Sequence, residues 1–579
     1  MKLRPGCHFA PTEQGLLCRF HGSSFVVRGP AALFGLLDSR IGALMDGTDA
    51  TALAAAAGPA APVLVKILDT LVQRGYLFDL DAAGGPAPDA ETAARYEDVV
   101  SHLEEHCDRP YAAFAALRSS RVSVRGGGPA GTALRRALQS FGLKASQWQT
   151  QEPADAWPAK AGMPAAARAA SLTVLIDDEQ EPLGLLAAAA PLPADAAILP
   201  VVADEQRIVV GPVLDGPRRL PAFLAAAERA AAWQRTDPTG PAPRRVGAAL
   251  AGSLAARRAL DHLAGIDRAG GAGDLLVVHG HDASMARVPF AAKGVEPTWQ
   301  PLAPGYLDAS DQAPPDRAAA EDQVALLTAP WRGLARQRGH SNESGRPVVG
   351  VALDPVAPSP DGPAVGWGGE LDAARRSAVL ALLRAQVGAT GAQSTCAAED
   401  SPGRGVAAAG STVVRWVLDG VLRLLAREAL SQPPDDAIRW EDLESSTTRS
   451  LWSAVADYHG SPVDLAEQRI AGFDWSLVRA VDRRTGALVA AEWAPSMQTA
   501  AYAALATIFA RYEQSAQKDP WPTVGTHCVE LLPEAAVRKA LARLTADAGP
   551  AEQGVRGLRL AADPVLGAYP SPCGWIRPA

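Results

Sequence analysis

The residues best placed to do chemistry lie in a few short stretches of the 579-residue chain. Gly126, Gly128 and Gly131 spell G-x-G-x-x-G, after the strand-like run Arg121-Val-Ser-Val-Arg125 and before a helical stretch, Thr132–Phe141. Glycines in that setting let backbone N–H groups and a helix N-terminus approach a phosphate. A dinucleotide site also wants an acid about twenty residues further on for the ribose. The first acid after Gly142 is Glu152, past any second strand. The turn is therefore read as a remnant kept for packing, with no bound cofactor expected. Asp177-Asp178, after the strand Leu172–Ile176, read as polar strand-end residues.

Other reactive side chains are less organised. His279-Gly-His281-Asp282 offers two histidines without a third ligand and reads as a solvated loop. His340, Glu343, His527 and Cys528 share no spacing, and Ser341 and Ser411 lack a nucleophile-elbow context. The six cysteines (Cys7, Cys18, Cys107, Cys396, Cys528, Cys573) never form CxxC, so neither a zinc site nor a disulfide frame is expected. That pattern fits reduced thiols in the cytoplasm.

The elements that must position these residues belong to several domains, because the chain is too long for one core. It is 48% hydrophobic and 20% charged, with a net charge of −8, so overall charge indicates no nucleic-acid partner. Lys2 and Arg4 are followed by a Pro-, His- and Glu-containing stretch instead of an apolar signal core. The most apolar long run, Leu183–Val202, is interrupted by Pro191, Pro193 and Asp195. A soluble, cytoplasmic protein with no membrane partner is expected.

The first eighty residues have the clearest pattern. Extended runs at Cys7–Ala10, Gly15–Phe20 and Ser24–Arg28 precede three helical runs, Ala31–Met45, Thr51–Ala57 and Pro62–Arg74, closed by Gly75-Tyr76-Leu77-Phe78. A winged helix of this kind can lay its third helix in a DNA groove, accept a peptide as an extra strand, or bind nothing. Lys66 and Arg74 alone make a poor phosphate footprint, which favours the peptide. The peptide site is placed at Ser24, Phe25, Val26, Val27 and Arg28 on the strand, with Val63, Lys66, Ile67, Thr70 and Arg74 on the helix. Seven basic against six acidic residues in this segment suit an acidic or mixed-charge peptide.

The order of this segment, with Ser24-Ser-Phe-Val-Val-Arg-Gly-Pro, Asp46-Gly47-Thr48 and Arg74-Gly-Tyr-Leu, resembles the PqqD-like recognition element of ribosomally made, post-translationally modified peptides (RiPPs). The resemblance implies that a leader peptide adds beside the third strand and against the third helix. Gly126–Gly131, Leu172–Ile176, Ile198-Leu-Pro-Val-Val and Ile208-Val-Val-Gly211-Pro212 resemble the ubiquitin-activating-like (ThiF-like) adenylating family. Its relatives hold zinc with two CxxC pairs. The corresponding stretches here, Gly216–Phe223 and Val288–Gly294, contain no cysteine.

After Arg332 come most of the thirteen Trp residues and glycine-led, Ala-rich helices, Ala373–Val387, Ser411–Leu430 and Thr499–Gln514. Strands are expected at Arg346–Leu353, Leu477–Asp482 and Ala487–Trp493, the last two joined by a turn at Arg483-Arg-Thr-Gly486. This arrangement resembles the YcaO fold, whose enzymes use ATP and magnesium to phosphorylate a backbone amide. Such a site needs several carboxylates. The first of these helices has none, the second offers only Asp419 before Glu428, and the third has none before Glu513. Tyr569-Pro-Ser-Pro-Cys573 departs from the alternating-proline C-terminus.

Together these segments resemble the leader-peptide-binding partner proteins of azoline-forming RiPP pathways, including thiopeptides. The resemblance implies a multidomain α/β protein. Residues 1–82 would form the recognition module, 83–310 a zinc-free adenylating-like scaffold and 311–579 a degenerate YcaO-like domain. It would carry no catalytic residues, cofactor or metal and would recruit a precursor's leader to a separate YcaO cyclodehydratase, which uses the ATP and magnesium. A homodimer is compatible with that role. An ATP-dependent cyclodehydratase or adenylating enzyme in its own right, or a DNA-binding regulator, remain the alternatives.

Overall fold

The structure, a computed structural model, describes residues 1–143, 148–151, 171–178, 183–204, 208–235, 244–266, 273–278, 284–290, 298–303, 305–306, 317–341, 348–357, 362–393, 405–457, 460–514, 523–545 and 555–578. It is a mixed α/β chain with several sheets. Two compact units divide it, Met1–Phe223 with Thr239–Phe290 and Leu224–Pro238 with Ala291–Ala579. Among the described residues no helix is long and apolar enough to cross a membrane. His279, His281 and Asp282, Glu152, Cys396, Glu343 and the stretch 291–297 lie outside the described residues.

The first unit begins with β1 (His8–Thr12), β2 (Gly15–Phe20) and β3 (Ser23–Arg28), an antiparallel sheet in the order β1-β2-β3. The helices α1 (Ala32–Asp46), α2 (Ala50–Ala55) and α3 (Ala61–Gln73) follow. Their spacing buries Leu33, Leu37, Leu44, Leu64, Leu68 and Leu71 in one small core with Leu16, Cys18 and Tyr76. Asp49 caps α2 by accepting from the Thr51 and Ala52 N–H groups. Helices Ala90–Arg95 and α4 (Glu97–His106) follow, separated at Tyr96, whose φ of −121° and ψ of 32° leave the helical region. Arg4 is buried and donates to the Glu104 and Cys107 carbonyls at 2.8 and 2.6 Å, at the C-terminal end of α4. A cation there complements the carbonyls that a helix end leaves without partners.

Next come β4 (Val122–Arg125), α5 (Gly128–Ser140), β5 (Trp148–Gln151), β6 (Leu172–Asp178) and β7 (Ala197–Ala203), whose four strands run parallel in the order β5-β4-β6-β7. Continuous Val, Ile and Leu runs make β6 and β7 buried along nearly their whole length, as a covered parallel sheet requires. Antiparallel strands Ile208–Val210, Asp274–Val278 and Met285–Pro289 extend the sheet beyond β7. Helix α6 (Arg244–Leu263) crosses α5 closely at Gly252, where a Cβ would lie 2.1 Å from the Ala130 carbonyl.

Among the described residues the second unit holds three sheets. Its helices α7 (Leu371–Gln393), α8 (Val413–Ala429) and α9 (Met497–Gln514) fall where glycine-led, Ala-rich runs predict them. Strands β8 (Phe473–Asp482) and β9 (Leu488–Ala494) form the expected hairpin, turned by Asp482, which accepts from the Arg484 and Thr485 N–H groups at 2.8 Å each. Strand Thr523–Gly525 runs parallel beside β9. Val555–Asp563 and Cys573–Pro578 are paired strands, and the latter also pairs with Val406–Ala409. The clustered prolines and glycines there had hidden a strand whose Cys573 and Ile576 are fully buried.

Candidate functional site

The β2–β3 hairpin turns on two residues, His21 and Gly22, with φ of 48° and 78°. Two-residue turns with both φ positive match the twist of a hairpin, and the residues flanking them form a hydrogen-bonded pair. Phe20 and Ser23 are that pair. Alternation then makes Cys18–Phe25 and Leu16–Val27 hydrogen-bonded. Beyond them the Gly29 N–H donates to the Gln14 carbonyl at 3.0 Å, in the same phase. Ser24, Val26 and Arg28 therefore point their backbone N–H and C=O groups away from β2. Among the described residues no strand pairs with that side of β3.

Helix α3 contributes the neighbouring surface. Leu64, Ile67, Leu68 and Leu71 face the core. On a 3.6-residue turn Val63, Lys66, Thr70 and Arg74 fall along one flank of that face. Val63 is 45% and Val26 37% exposed. The Arg74 guanidinium lies over the Phe25 ring, 5.3 Å from its centroid, and Phe25 meets Tyr76 edge-on at 5.2 Å. The structure thus brings α3 and β3 together through Arg74 and Phe25. Lys66 is exposed; the half-buried Thr70 hydroxyl donates to the Lys66 carbonyl. Ile67 departs from the expectation. At 2% exposure it packs in the module core, because its place on the helix lies beside Leu71 and Leu64 rather than on the flank. Phe25 and Val27 also turn toward that core, half-buried.

The glycine turn lies where β4 and β6 adjoin, at the reversal point of the parallel strand order, where ligands of such sheets commonly bind. Gly126 and Gly128 have φ of 99° and 63°. A Cβ at Gly126 would lie 2.1 Å from the Ile176 carbonyl oxygen, and one at Gly128 2.6 Å from the Asp178 carboxylate. Asp178 is buried and accepts from the Ala130 N–H at 3.3 Å. Its carboxylate holds the N-terminal end of α5, the place where a phosphate would take its backbone donors. Asp177 accepts from the Leu183 N–H at 2.9 Å. The two acids read as strand-end residues include one that caps the glycine turn, a role carried by β6 register and invisible in spacing.

The second unit contains a buried polar centre. Asp419 on α8 is 1% exposed and receives Arg384 of α7 on both oxygens, at 2.9 and 3.1 Å, with Arg423 at 2.9 Å. The Ala409 N–H donates to it at 2.9 Å, and the Thr526 hydroxyl donates as well. Burial pushes its carboxyl up, but the two guanidiniums outweigh burial and hold it below its ordinary value. Glu492 on β9 accepts from the Thr507 hydroxyl at 2.6 Å, and burial raises it to about 7. Burial, then Arg384 and Arg376, lowers His527 to about 3, so its ring is neutral. That ring stacks on Trp367 at 3.8 Å, and its Nδ1 lies 3.0 Å from the Ser377 hydroxyl. Gly525 is required beside Glu492, since a Cβ would lie 1.7 Å from Oε1. Arg415 binds Glu534 at 3.2 Å, and Glu530 accepts from the Ser411 N–H and hydroxyl. His527 and Glu492, dispersed in sequence, meet only through the fold.

Neither centre offers a zinc donor set. Gly216–Phe223 contains no thiolate, and the described cysteines are free. A magnesium–triphosphate site would need open carboxylates, whereas Asp419 is filled by two guanidiniums.

No family model matches this chain, and no curated protein matches it by sequence. Among solved structures it is similar to a heterocyclase in complex with substrate and cofactor. That match has 12% identity and a TM-score of 0.58, covering 100% of this chain and 94% of that one. E. coli MccB bound to ATP matches at 12% identity with a TM-score of 0.36, covering 50% of this chain and 96% of its own. MccB with MccA-N7isoAsn gives 10% and 0.35 over the same shares. The full-length likeness establishes a shared fold with the heterocyclase.

Proposed function

We propose that this chain is a non-catalytic partner in RiPP maturation, binding the leader of a ribosomally made precursor and delivering it to a separate YcaO-type cyclodehydratase. The observation that carries this reading is the open β3 edge. Ser24, Val26 and Arg28 present main-chain groups that no strand among the described residues pairs, near the exposed flank of α3, the arrangement by which a peptide adds as a strand. Main-chain hydrogen bonds would give affinity, Val26 and Val63 apolar contact, and Arg74 and Lys66 attraction for acidic side chains. Tethering a substrate in this way raises its effective concentration at a distant active site.

Two features support the non-catalytic part. Asp419 is neutralised by Arg384 and Arg423, and the glycine turn already holds the Asp178 carboxylate at its helix. A full-length likeness to a heterocyclase bound to substrate fits a chain that handles such a substrate. Lys66 and Arg74 are too few cations on α3 to favour DNA.

One observation favours a second reading. Glu492, raised to about 7, and the neutral His527 share a buried centre with several arginines, and perturbed groups gather at working sites. An ATP-dependent enzyme would release phosphate from ATP without any partner protein, and Glu492→Gln would abolish that release. The non-catalytic reading expects no release above blank from the purified chain, with or without precursor. Partner-independent turnover lost in Glu492→Gln would overturn it.

A further inference from the structure

The β2–β3 turn carries a cluster that the peptide reading does not use. His21, Glu105 and His106 each offer a nitrogen or oxygen within 4.8 Å of the other two. His21 Nε2 lies 3.5 Å from Glu105 Oε1, and His106 Nδ1 lies 3.8 Å from Glu105 Oε2. The two imidazoles approach to 4.7 Å between centroids. His21 and Glu105 side chains are 41% and 28% exposed, so solvent ions can reach them.

His106 Nδ1 also lies 3.0 Å from the His102 carbonyl, which can only accept and which holds the ring in place beside Glu105. His102 is occupied elsewhere: its Nε2 lies 2.8 Å from Asp261, and Arg257 donates to its Nδ1 at 2.8 Å. His102 thus supports the cluster from behind and supplies no ligand.

We infer that His21, Glu105 and His106 form a binding site for a borderline divalent metal ion of the zinc class, which fastens the β2–β3 turn to the end of α4. Two imidazoles and one carboxylate suit Zn²⁺, Ni²⁺ or Cu²⁺ in preference to Mg²⁺ or Ca²⁺, which take oxygen ligands. Water completes the coordination, as in three-ligand zinc sites. The ligands come from segments more than eighty residues apart in the chain, so the ion binds the folded unit and stabilises it. The turn it holds leads directly into β3, so the site bears on the position of the open edge. It does not depend on a peptide binding there.

The test is calorimetric titration of the full-length, tag-free chain with zinc chloride, paired with thermal unfolding with and without zinc. His21→Asn removes a ligand while Asn tolerates the left-handed turn, and His106→Gln removes the second. A double variant, His279→Ala with His281→Ala, controls for the other histidine pair. The site requires one saturable Zn²⁺ per chain and a zinc-dependent rise in melting temperature. Affinity should fall tenfold or more in His21→Asn and in His106→Gln and hold in the double variant. Absence of saturable binding, unchanged affinity in both single variants, or loss in the double variant would overturn it. Circular dichroism separates lost ligation from misfolding: a misfolded His21→Asn leaves His106→Gln, half-exposed on a helix, to decide.

Discussion

Burial decides the charge of Glu492, which sits 2% exposed between Thr507 and the strand at Gly525. Its carboxyl rises from an ordinary 4.5 to about 7. Between those values the folded chain holds a proton that the unfolded chain has released, so this group's contribution to stability falls as pH rises through the window. Over the full window the loss is about 3 kcal/mol. Glutamine does not titrate, so chemical denaturation from pH 5 to 8 should show Glu492→Gln gaining on the wild type by about that amount. A pH-independent difference between the two would contradict the assignment. Asp419 behaves oppositely, ionised and clamped. Asp419→Asn leaves Arg384 and Arg423 without their counter-charge and should cost about 3 kcal/mol, read as a lower denaturant midpoint at unchanged slope. Asp419 stood out in the sequence as the lone early acid of its helix. Arg423 is its i+4 neighbour on α8, but Arg384 did not stand out, because it lies 35 residues away on α7 and only the fold brings it to 2.9 Å.

The elements were legible where a single period dominated. The leucines of α1 and α3 and the alternation in β2 and β3 predict their elements within a residue or two. Ile67 was misplaced because the same apolar letter serves both core and groove, and only the angular position on α3 separates them. The strand Cys573–Pro578 was hidden by prolines and glycines that the sheet accommodates at its end. Spacing places Gly126–Gly131 between a strand and a helix, as the structure has it, but not the contact with Asp178, which reaches α5 through strand register. Packing at this turn makes a sharp prediction. Gly126→Ala meets both a φ of 99° and the Ile176 carbonyl and should lower stability by several kcal/mol, on the scale of strain and overpacking costs. Gly42→Ala, inside α1 with nothing within 4 Å, should instead raise it by up to about 1 kcal/mol. Thermal unfolding of the two variants checks both signs.

At the scale of the whole chain, a heterocyclase-like fold persists at 12% identity. Such a fold can keep its core while its polar centres are refilled, since function resides in sites and not in architecture. Asp419 lies under two guanidiniums and Asp178 on the α5 terminus, and the proposed function takes both as such places. What is left open is the β3 edge, and the account rests on it. Its most direct measurement is fluorescence polarisation of a labelled leader peptide from the cognate precursor, titrated with wild type and with Val26→Pro. Proline removes an N–H that points away from β2, so the module keeps its own hydrogen bonds and loses one offered to a ligand. Saturable binding by the wild type and at least tenfold weaker binding by a folded Val26→Pro are expected. Equal affinity for the two proteins, or no binding by the wild type, would contradict it.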